Sequence, residues 1–483
     1  MQFNSFEFLF FFPVVAILYY LFPNKYRWFF LLIAGYYFYM AIEPSLIILL
    51  LVSTSIDYYC GLKIYSAGSI KVKKRFLYLS ILGNLGILFF FKYFGFFTET
   101  SLDVLHFFGI DFFDQATTQA YNFNQILLPA GISFYTFQTL SYSIDIYRGE
   151  IKPEQHFGRY ALYVSFFPQL VAGPIERASR LLPQFYKKVT LNIEAIKQGI
   201  IMMAWGFFLK LVVSDRLGIY VDEVFYQPDK YKGLPLIIGA YFFVLQIYCD
   251  FSAYNNIALG AAKVLGFNLM QNFNRPLFYK NLGEMWRKWH ISLMKWFRDY
   301  LYRPLVINYK MNRYLAVIIV FFFNGLWHGA NWTFIVWGLL NGFYLLFENL
   351  SRNFRRKTLK KLNVRLPKKV DIVLWWFFTF NLITISLIFF RSSSITSALV
   401  YVKNMLLVNT FNVNVIHNSI EVFLCFFFII LAQVLDYFKG HSKVYELVMN
   451  KHILIKWALY LLFILVIVLF SVNRQNKFIY FQF

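Results

Sequence analysis

The feature that most constrains this chain is a succession of apolar runs, each about 17–22 residues long. A helix of that length crosses a hydrocarbon core of about 30 Å. In lipid every backbone N–H and C=O must be satisfied within its own segment, so such runs fold as helices. The expected spans are 6–22, 26–42, 45–62, 76–97, 125–143, 198–214, 234–250, 312–327, 332–348, 371–390, 419–438 and 455–472. The stretch 159–175 is also apolar, but Pro168, Gly173 and Pro174 break it, and it reads as a re-entrant or buried half-helix. The expected fold is an all-α polytopic membrane protein of about 12 transmembrane helices with re-entrant and interfacial helices, one membrane domain over 1–483. Composition excludes a soluble globular enzyme: 59% of residues are hydrophobic and 15% charged, against roughly a quarter charged in soluble domains.

The net charge of +23 would suggest nucleic acid in a soluble protein. Here Lys and Arg sit in short segments between apolar runs, where they orient spans and meet anionic lipid headgroups, so no nucleic-acid partner is expected. The strongest cluster runs from Arg352 to Lys369, while the loop 98–124 carries Glu99, Asp103, Asp111 and Asp114 and no Lys or Arg. With the basic side cytoplasmic, both ends of the chain lie outside, although Arg474 and Lys477 run against this. The first apolar run follows no Lys or Arg and reads as a retained span. Cys60, Cys249 and Cys425 lie far apart in apolar stretches and read as small core residues. No metal-ligand spacing, fixed-period repeat or phosphate-binding Gly-rich loop occurs, so no metal and no bound cofactor is expected.

Ionisable groups near span depth are expensive and become functional candidates. His328 lies between two apolar runs, flanked by Gly325 and Gly329, with Asn324, Trp327, Asn331 and Trp332 close in sequence. The amides add hydrogen-bonding capacity and the tryptophans supply walls for a slot. A neutral imidazole there is able to take a proton from a hydroxyl; a histidine at an interfacial turn is the other reading. His290 sits in 284–303, where Trp286, Trp289, Leu293, Phe297 and Tyr300 recur at helical spacing and Asp299 can pair with Lys295 and Arg303. This predicts an amphipathic interfacial helix, and a membrane anchor has no need of a histidine on its apolar side. Asp250, at the inner end of a span and before the small residues Ala258, Gly260, Ala261 and Ala262, reads as the cap of a broken helix.

Six blocks in order carry a resemblance: Leu128–Gln138 (LPAGISFYTFQ), Phe167–Ile175 (FPQLVAGPI), Cys249–Ser252 (CDFS), Asn272–Pro276 (NFNRP), Trp289–Leu293 (WHISL) and Gly325–Gly329 (GLWHG). Together they resemble the membrane-bound O-acyltransferase family, in its branch of alginate O-acetyltransferase-like proteins, and are similar also to peptidoglycan O-acetyltransferase membrane subunits. The likeness covers about 125–350, the expected catalytic core. Val306-Ile307 depart from the pattern, since relatives carry glycines there. The resemblance implies acyl transfer, with His328 catalytic and His290 on the same buried passage, supported by Gln138, Asp250 and Trp289. It also implies an activated donor approaching from the cytoplasm, acetyl-CoA being the natural candidate for basic inner loops. The segment 478–483 (FIYFQF) is similar to a terminal aromatic motif of this branch and of the small partner of its D-alanylation relatives. That likeness makes Tyr480 a candidate acyl relay, the other reading being an interfacial aromatic tail.

The expected function is O-acetylation of an extracytoplasmic polysaccharide, an alginate-like exopolymer or peptidoglycan, at the bacterial cytoplasmic membrane. A separate esterase-like acetyltransferase is the expected partner. The alternatives are a transporter or lipid-linked sugar flippase using the histidines as a proton relay, and a scaffold for polymer export. A flippase predicts charges inside several spans, whereas an enzyme predicts a concentrated His/Asn/Trp cluster between spans. The sequence favours the enzyme.

Overall fold

A computed structural model describes the chain except residues 111–128, 172, 362–366, 408–414, 416–418, 439–449, 473–477 and 480–483. The described residues are mostly helical and include no strand, and seven helical stretches among them are long and apolar enough to cross a membrane: Pro44–Ser66, Ile70–Phe107, Ile193–Tyr226, Leu234–Val264, Trp332–Arg352, Lys369–Arg391 and Ile453–Phe470. The expected runs 6–22 and 312–327 correspond to the shorter apolar helices Phe6–Leu21 and Arg313–His328. This is an all-α polytopic membrane protein. Cys60, Cys249 and Cys425 are buried and free, as small core residues should be.

The chain divides into two compact units. The first comprises Met1–Asn192 with Leu265–Leu269 and Gly329–Asn331. Its helices are α1 (Phe6–Leu21), α2 (Asn24–Met40), α3 (Ile47–Ser66), α4 (Ile70–Leu88), α5 (Phe94–Phe107), α6 (Ile132–Tyr147), α7 (Phe157–Ser165), α8 (Phe167–Leu170) and α9 (Ala178–Leu181). The helix expected from 125 starts at Ile132. Gly131 stands before it at φ +75°, where a Cβ would lie 2.6 Å from the Leu170 carbonyl oxygen, so only glycine fits that turn. The broken stretch 159–175 is buried as expected, with α7 ending at Ser165 and α8 beginning at Phe167 beside Pro168. Between α3, α4 and α6 a fully buried Asp57 accepts hydrogen bonds from Ser80, Asn84 (2.7 Å) and Ser143 (3.0 Å). A carboxylate so enclosed is tolerated because its lone pairs are filled.

The second unit holds Ile193–Val264, Met270–His328 and Trp332–Phe483. Its helices are α10 (Ile193–Phe207), α11 (Asp215–Tyr226), α12 (Leu234–Val264), α13 (Leu282–Lys288), α14 (Ile291–Phe297), α15 (Arg313–His328), α16 (Trp332–Lys361), α17 (Lys368–Arg391), α18 (Ile395–Leu406), α19 (Ser419–Phe438) and α20 (Ile453–Phe470). A π-helical segment, Phe208–Ser214, joins α10 to α11. The central α12 is buried along most of its length. It approaches α10 through glycines: a Cβ on Gly199 would sit 2.6 Å from the Gly260 carbonyl oxygen, and one on Gly206 2.7 Å from that of Ala253. Such small-residue contacts are how helices pack where lipid tails give no hydrophobic drive.

Candidate active site

His328 is the last residue of α15 and is 5% exposed. Its place is fixed by the crossing of α15 with α16. A Cβ on Gly325 would stand 2.3 Å from the Phe334 carbonyl oxygen, and one on Gly338 2.3 Å from that of Phe321, so the two backbones are in direct contact. The imidazole is then boxed by rings in near-perpendicular contact: Trp337 at 4.9 Å, Trp327 at 5.0 Å and Phe390 at 5.3 Å between centroids. Edge-to-face packing suits aromatic quadrupoles, and the low dielectric of such a box strengthens any hydrogen bond formed inside it.

The helix predicted over 284–303 is broken at Trp289–His290. The correction has a local cause: His290 adopts φ 43°, ψ 52°, a left-handed conformation that ends α13 and starts α14. A non-glycine residue there is strained and has to be held by its surroundings. Asn272 does this. Its carbonyl accepts the Ile291 N–H at 2.9 Å, and its Oδ1 accepts the Ser292 hydroxyl at 2.6 Å and the Ser292 N–H at 3.2 Å. His290 is 1% exposed and packs on Phe251 at 4.6 Å and on Trp327 at 5.7 Å. Trp327 therefore touches both histidines. Burial pushes the His290 imidazole down to about 3, which keeps it neutral near pH 7. Beyond the break, Asp299 pairs with Arg303 (3.3 Å), as its spacing predicts, and with Arg298 (2.9 Å).

Asp250 is not a helix cap. Helix α12 runs unbroken past it to Val264: the carboxylate meets a lysine, and Ala253 and Gly260 lie in the backbone contact with α10. Lys210 Nζ, in the π-helical segment, donates to Asp250 Oδ1 at 2.7 Å and lies 2.9 Å from Asp215 Oδ1. All three side chains are at most 2% exposed. Asp250 Oδ2 accepts the backbone N–H of Ile479 at 2.8 Å. Phe478 stacks on Tyr254 at 4.1 Å and contacts Phe251 at 5.7 Å. Rings thus follow one another from Phe478 through Phe251, His290 and Trp327 to His328. Lys210 and Asp215 were not singled out from the sequence, where a lone lysine in an apolar run reads as a snorkelling residue.

A cavity of about 30 Å³ opens beside His328, walled by Trp286, Trp289, Trp337 and Phe390. Three polar atoms on its lining, Tyr279 Oη, Trp286 Nε1 and Asn341 Oδ1, are buried without a hydrogen-bond partner among the described residues. Both amide atoms of Asn324, one helical turn before His328, share that condition. Leaving such groups unmade costs about 1–3 kcal/mol each, and their concentration around one imidazole is what a site completed by substrate requires. Trp289 lines the cavity as expected. Trp332 is 48% exposed, and the tryptophan beside His328 on α16 is Trp337. Gln138 and Asn331 belong to the first unit, where Gln138 donates to the Tyr163 carbonyl at 2.8 Å. Tyr480 lies outside the described residues.

A second cavity of about 460 Å³ in this unit carries Lys280, Arg352 and Arg355 with Glu348 and Asp371, and Arg355 stacks on Trp375 at 4.0 Å. An enclosed histidine beside buried polar atoms, in a bundle of membrane helices, makes this the candidate site of a membrane-embedded protein. Residues 154–391 match the model of the membrane-bound O-acyltransferase family. The chain is 35% identical to the "probable alginate O-acetylase AlgI" of Pseudomonas aeruginosa over 82% of its own length and 73% of that protein. It is 32% identical to the peptidoglycan O-acetyltransferase of Helicobacter pylori over 81% and 75%. A teichoic acid D-alanyltransferase of Bacillus subtilis is 25% identical over 47% and 60%. The chain belongs to the membrane-bound O-acyltransferase family and is a multi-pass membrane acyltransferase.

Proposed function

We propose that this protein transfers acetyl groups from a cytoplasmic donor to an extracytoplasmic polysaccharide at the bacterial cytoplasmic membrane, with His328 as the catalytic base. The observation that carries this reading is the His328 cavity, on whose lining three residues, Tyr279, Trp286 and Asn341, each hold a buried polar atom without a hydrogen-bond partner among the described residues. The relatives named for alginate and peptidoglycan O-acetylation supply the two acceptor classes. An anionic thioester such as acetyl-CoA suits the larger cavity, whose Lys280, Arg352 and Arg355 favour phosphate groups.

In the proposed reaction the hydroxyl of Tyr480 attacks the thioester carbonyl. His328 accepts its proton, the C–O bond forms, the C–S bond breaks, and the proton passes to the departing thiolate. The acetyl ester on Tyr480 then passes to a polymer hydroxyl, helped by an esterase-like partner outside. His290, neutral and in contact with Trp327, keeps the passage closed to water and orients the rings around His328. The docked neighbours of Tyr480 support the relay, because Phe478 sits on the ring series that reaches His328 and the Ile479 N–H is bonded to Asp250.

The test is base-labile acetate on purified envelope polymers, from cells carrying the parent protein or His328→Ala at matched protein level. Loss of acetate from one polymer supports the reading and names the acceptor. Unchanged acetate on every polymer overturns it. Tyr480→Phe keeps the aromatic ring without the hydroxyl, and unchanged acetate in that variant overturns the relay.

A further inference from the structure

We infer that Asp250 is a positioning residue for acyl transfer: set by Lys210 and Asp215, its carboxylate docks the 478–479 segment against the wall of His290. The inference rests on the relay reading, in which the residue after Ile479 carries the acetyl group.

The dock is built from the stretch 210–216 and Asp250 of α12. Lys210 lies in the π-helical segment Phe208–Ser214. Its ammonium is shared by two carboxylates and meets Asp250 through Oδ1 alone. The remaining Asp250 oxygen takes the Ile479 N–H at 2.8 Å, a charge-assisted bond in a buried site. A π-helical turn also frees carbonyls from the helical ladder. The Leu211 carbonyl accepts the Val472 N–H at 3.0 Å, and Arg216, just beyond, donates to the Phe470 carbonyl at 2.8 Å. Residues 210–216 and Asp250 therefore hold the chain at 470, 472 and 479.

The preceding helix does little of this holding. No residue of α20 is buried, whereas Phe478 is fully enclosed and Ile479 is 4% exposed. The segment owes its position to the polar dock and the rings beneath it. Those rings lead directly to the site, since Phe251 contacts both Phe478 (5.7 Å) and His290 (4.6 Å). Undocking removes one face of Phe251 and frees the 478–479 segment on which the relay reading depends.

Two measurements on the full-length protein in detergent test this. In the first, Ile479→Cys keeps the backbone N–H, and its thiol is labelled with a maleimide. With Asp250 intact the thiol is protected, and adding Asp250→Ala speeds labelling at least tenfold. In the second, Ile479→Pro deletes the donor itself without altering the buried ion cluster, so it stays informative if Asp250→Ala does not fold. Its turnover at saturating acetyl-CoA falls at least tenfold with the half-saturating concentration unchanged, while Ile479→Val, which keeps the N–H and most of the buried side chain, loses clearly less. Equal labelling rates with and without Asp250, or equal turnover of the Pro and Val variants, overturns the inference. Failure of the relay reading looks different: Tyr480→Phe then remains active even though Asp250→Ala exposes residue 479.

Discussion

Replacing Gly325 by alanine tests whether the crossing of α15 and α16 positions the site. The added Cβ would lie 2.3 Å from the Phe334 carbonyl oxygen and 3.1 Å from its carbon, both backbone atoms that no rotamer change moves away. Reaching an ordinary contact of 3.4 Å requires the helices to part by about 1 Å. Overpacking of this kind costs about 1–3 kcal/mol of stability. The displacement falls one turn from His328, on α15, and acts against Trp337 and Asn341, on α16. A misplacement of about 1 Å in a catalytic array lowers rate by about 10²-fold, or roughly 2.7 kcal/mol in the barrier. The assay is acetyl transfer at saturating donor by detergent-solubilised protein, beside heat-induced unfolding followed by tryptophan fluorescence. Gly283→Ala is the control, because a Cβ there meets nothing closer than 3.6 Å; it should leave both readouts unchanged. A folded Gly325→Ala protein with turnover within threefold of the parent would refute the reasoning.

Asn272→Leu removes both side-chain bonds to Ser292 and leaves the strained His290 backbone held through one carbonyl. Unfolding should shift by about 1–3 kcal/mol and turnover should fall more than tenfold, whereas Ser292→Ala, which keeps its N–H bond, should be milder; parent-like turnover of Asn272→Leu counts against a positioning role. His290 is held near 3, below the ordinary value of 6.5, so protons favour the unfolded chain. Its contribution to stability is complete above pH 6.5 and is lost as pH falls toward 3. At pH 4.5 the parent should have lost on the order of 2 kcal/mol more than His290→Gln; stability curves that run parallel between pH 7.5 and 4.5 contradict this. Lys280→Ala should raise the half-saturating acetyl-CoA concentration severalfold at low salt, leave maximal turnover unchanged and flatten the salt dependence. An unchanged half-saturation removes that cavity as the donor site.

The helices were legible in the sequence because apolar length is a local property, and α2, α15, α17, α19 and α20 fall within a few residues of the expected runs. His328 was legible for a related reason: Asn324, Gly325 and Trp327 mark it within one helical turn. The rest of the site was not, because its parts arrive from afar. Tyr279, Trp286, Trp337 and Asn341 each read as ordinary aromatic or amide residues until the helices cross. The break at His290 was hidden because helical spacing continues through it, while the bonds that hold it come from Asn272.

Lys210 gave no signal at all, since its partners lie five and forty positions away. Its charge bears on the rival transport reading, which predicts charges inside several spans. Charges are there: Lys210, Asp215 and Asp250 in the second unit, and Asp57 in the first. Yet Asp57 is enclosed by hydroxyl and amide donors, and the Lys210 cluster is committed to two carboxylates and a backbone N–H. The histidines are packed edge-on among Phe251, Trp327, Trp337 and Phe390. A proton relay needs titratable groups that hand hydrogen bonds to one another. Here the charges fix chain segments in place and the rings enclose the imidazoles, an arrangement that counts against a proton relay.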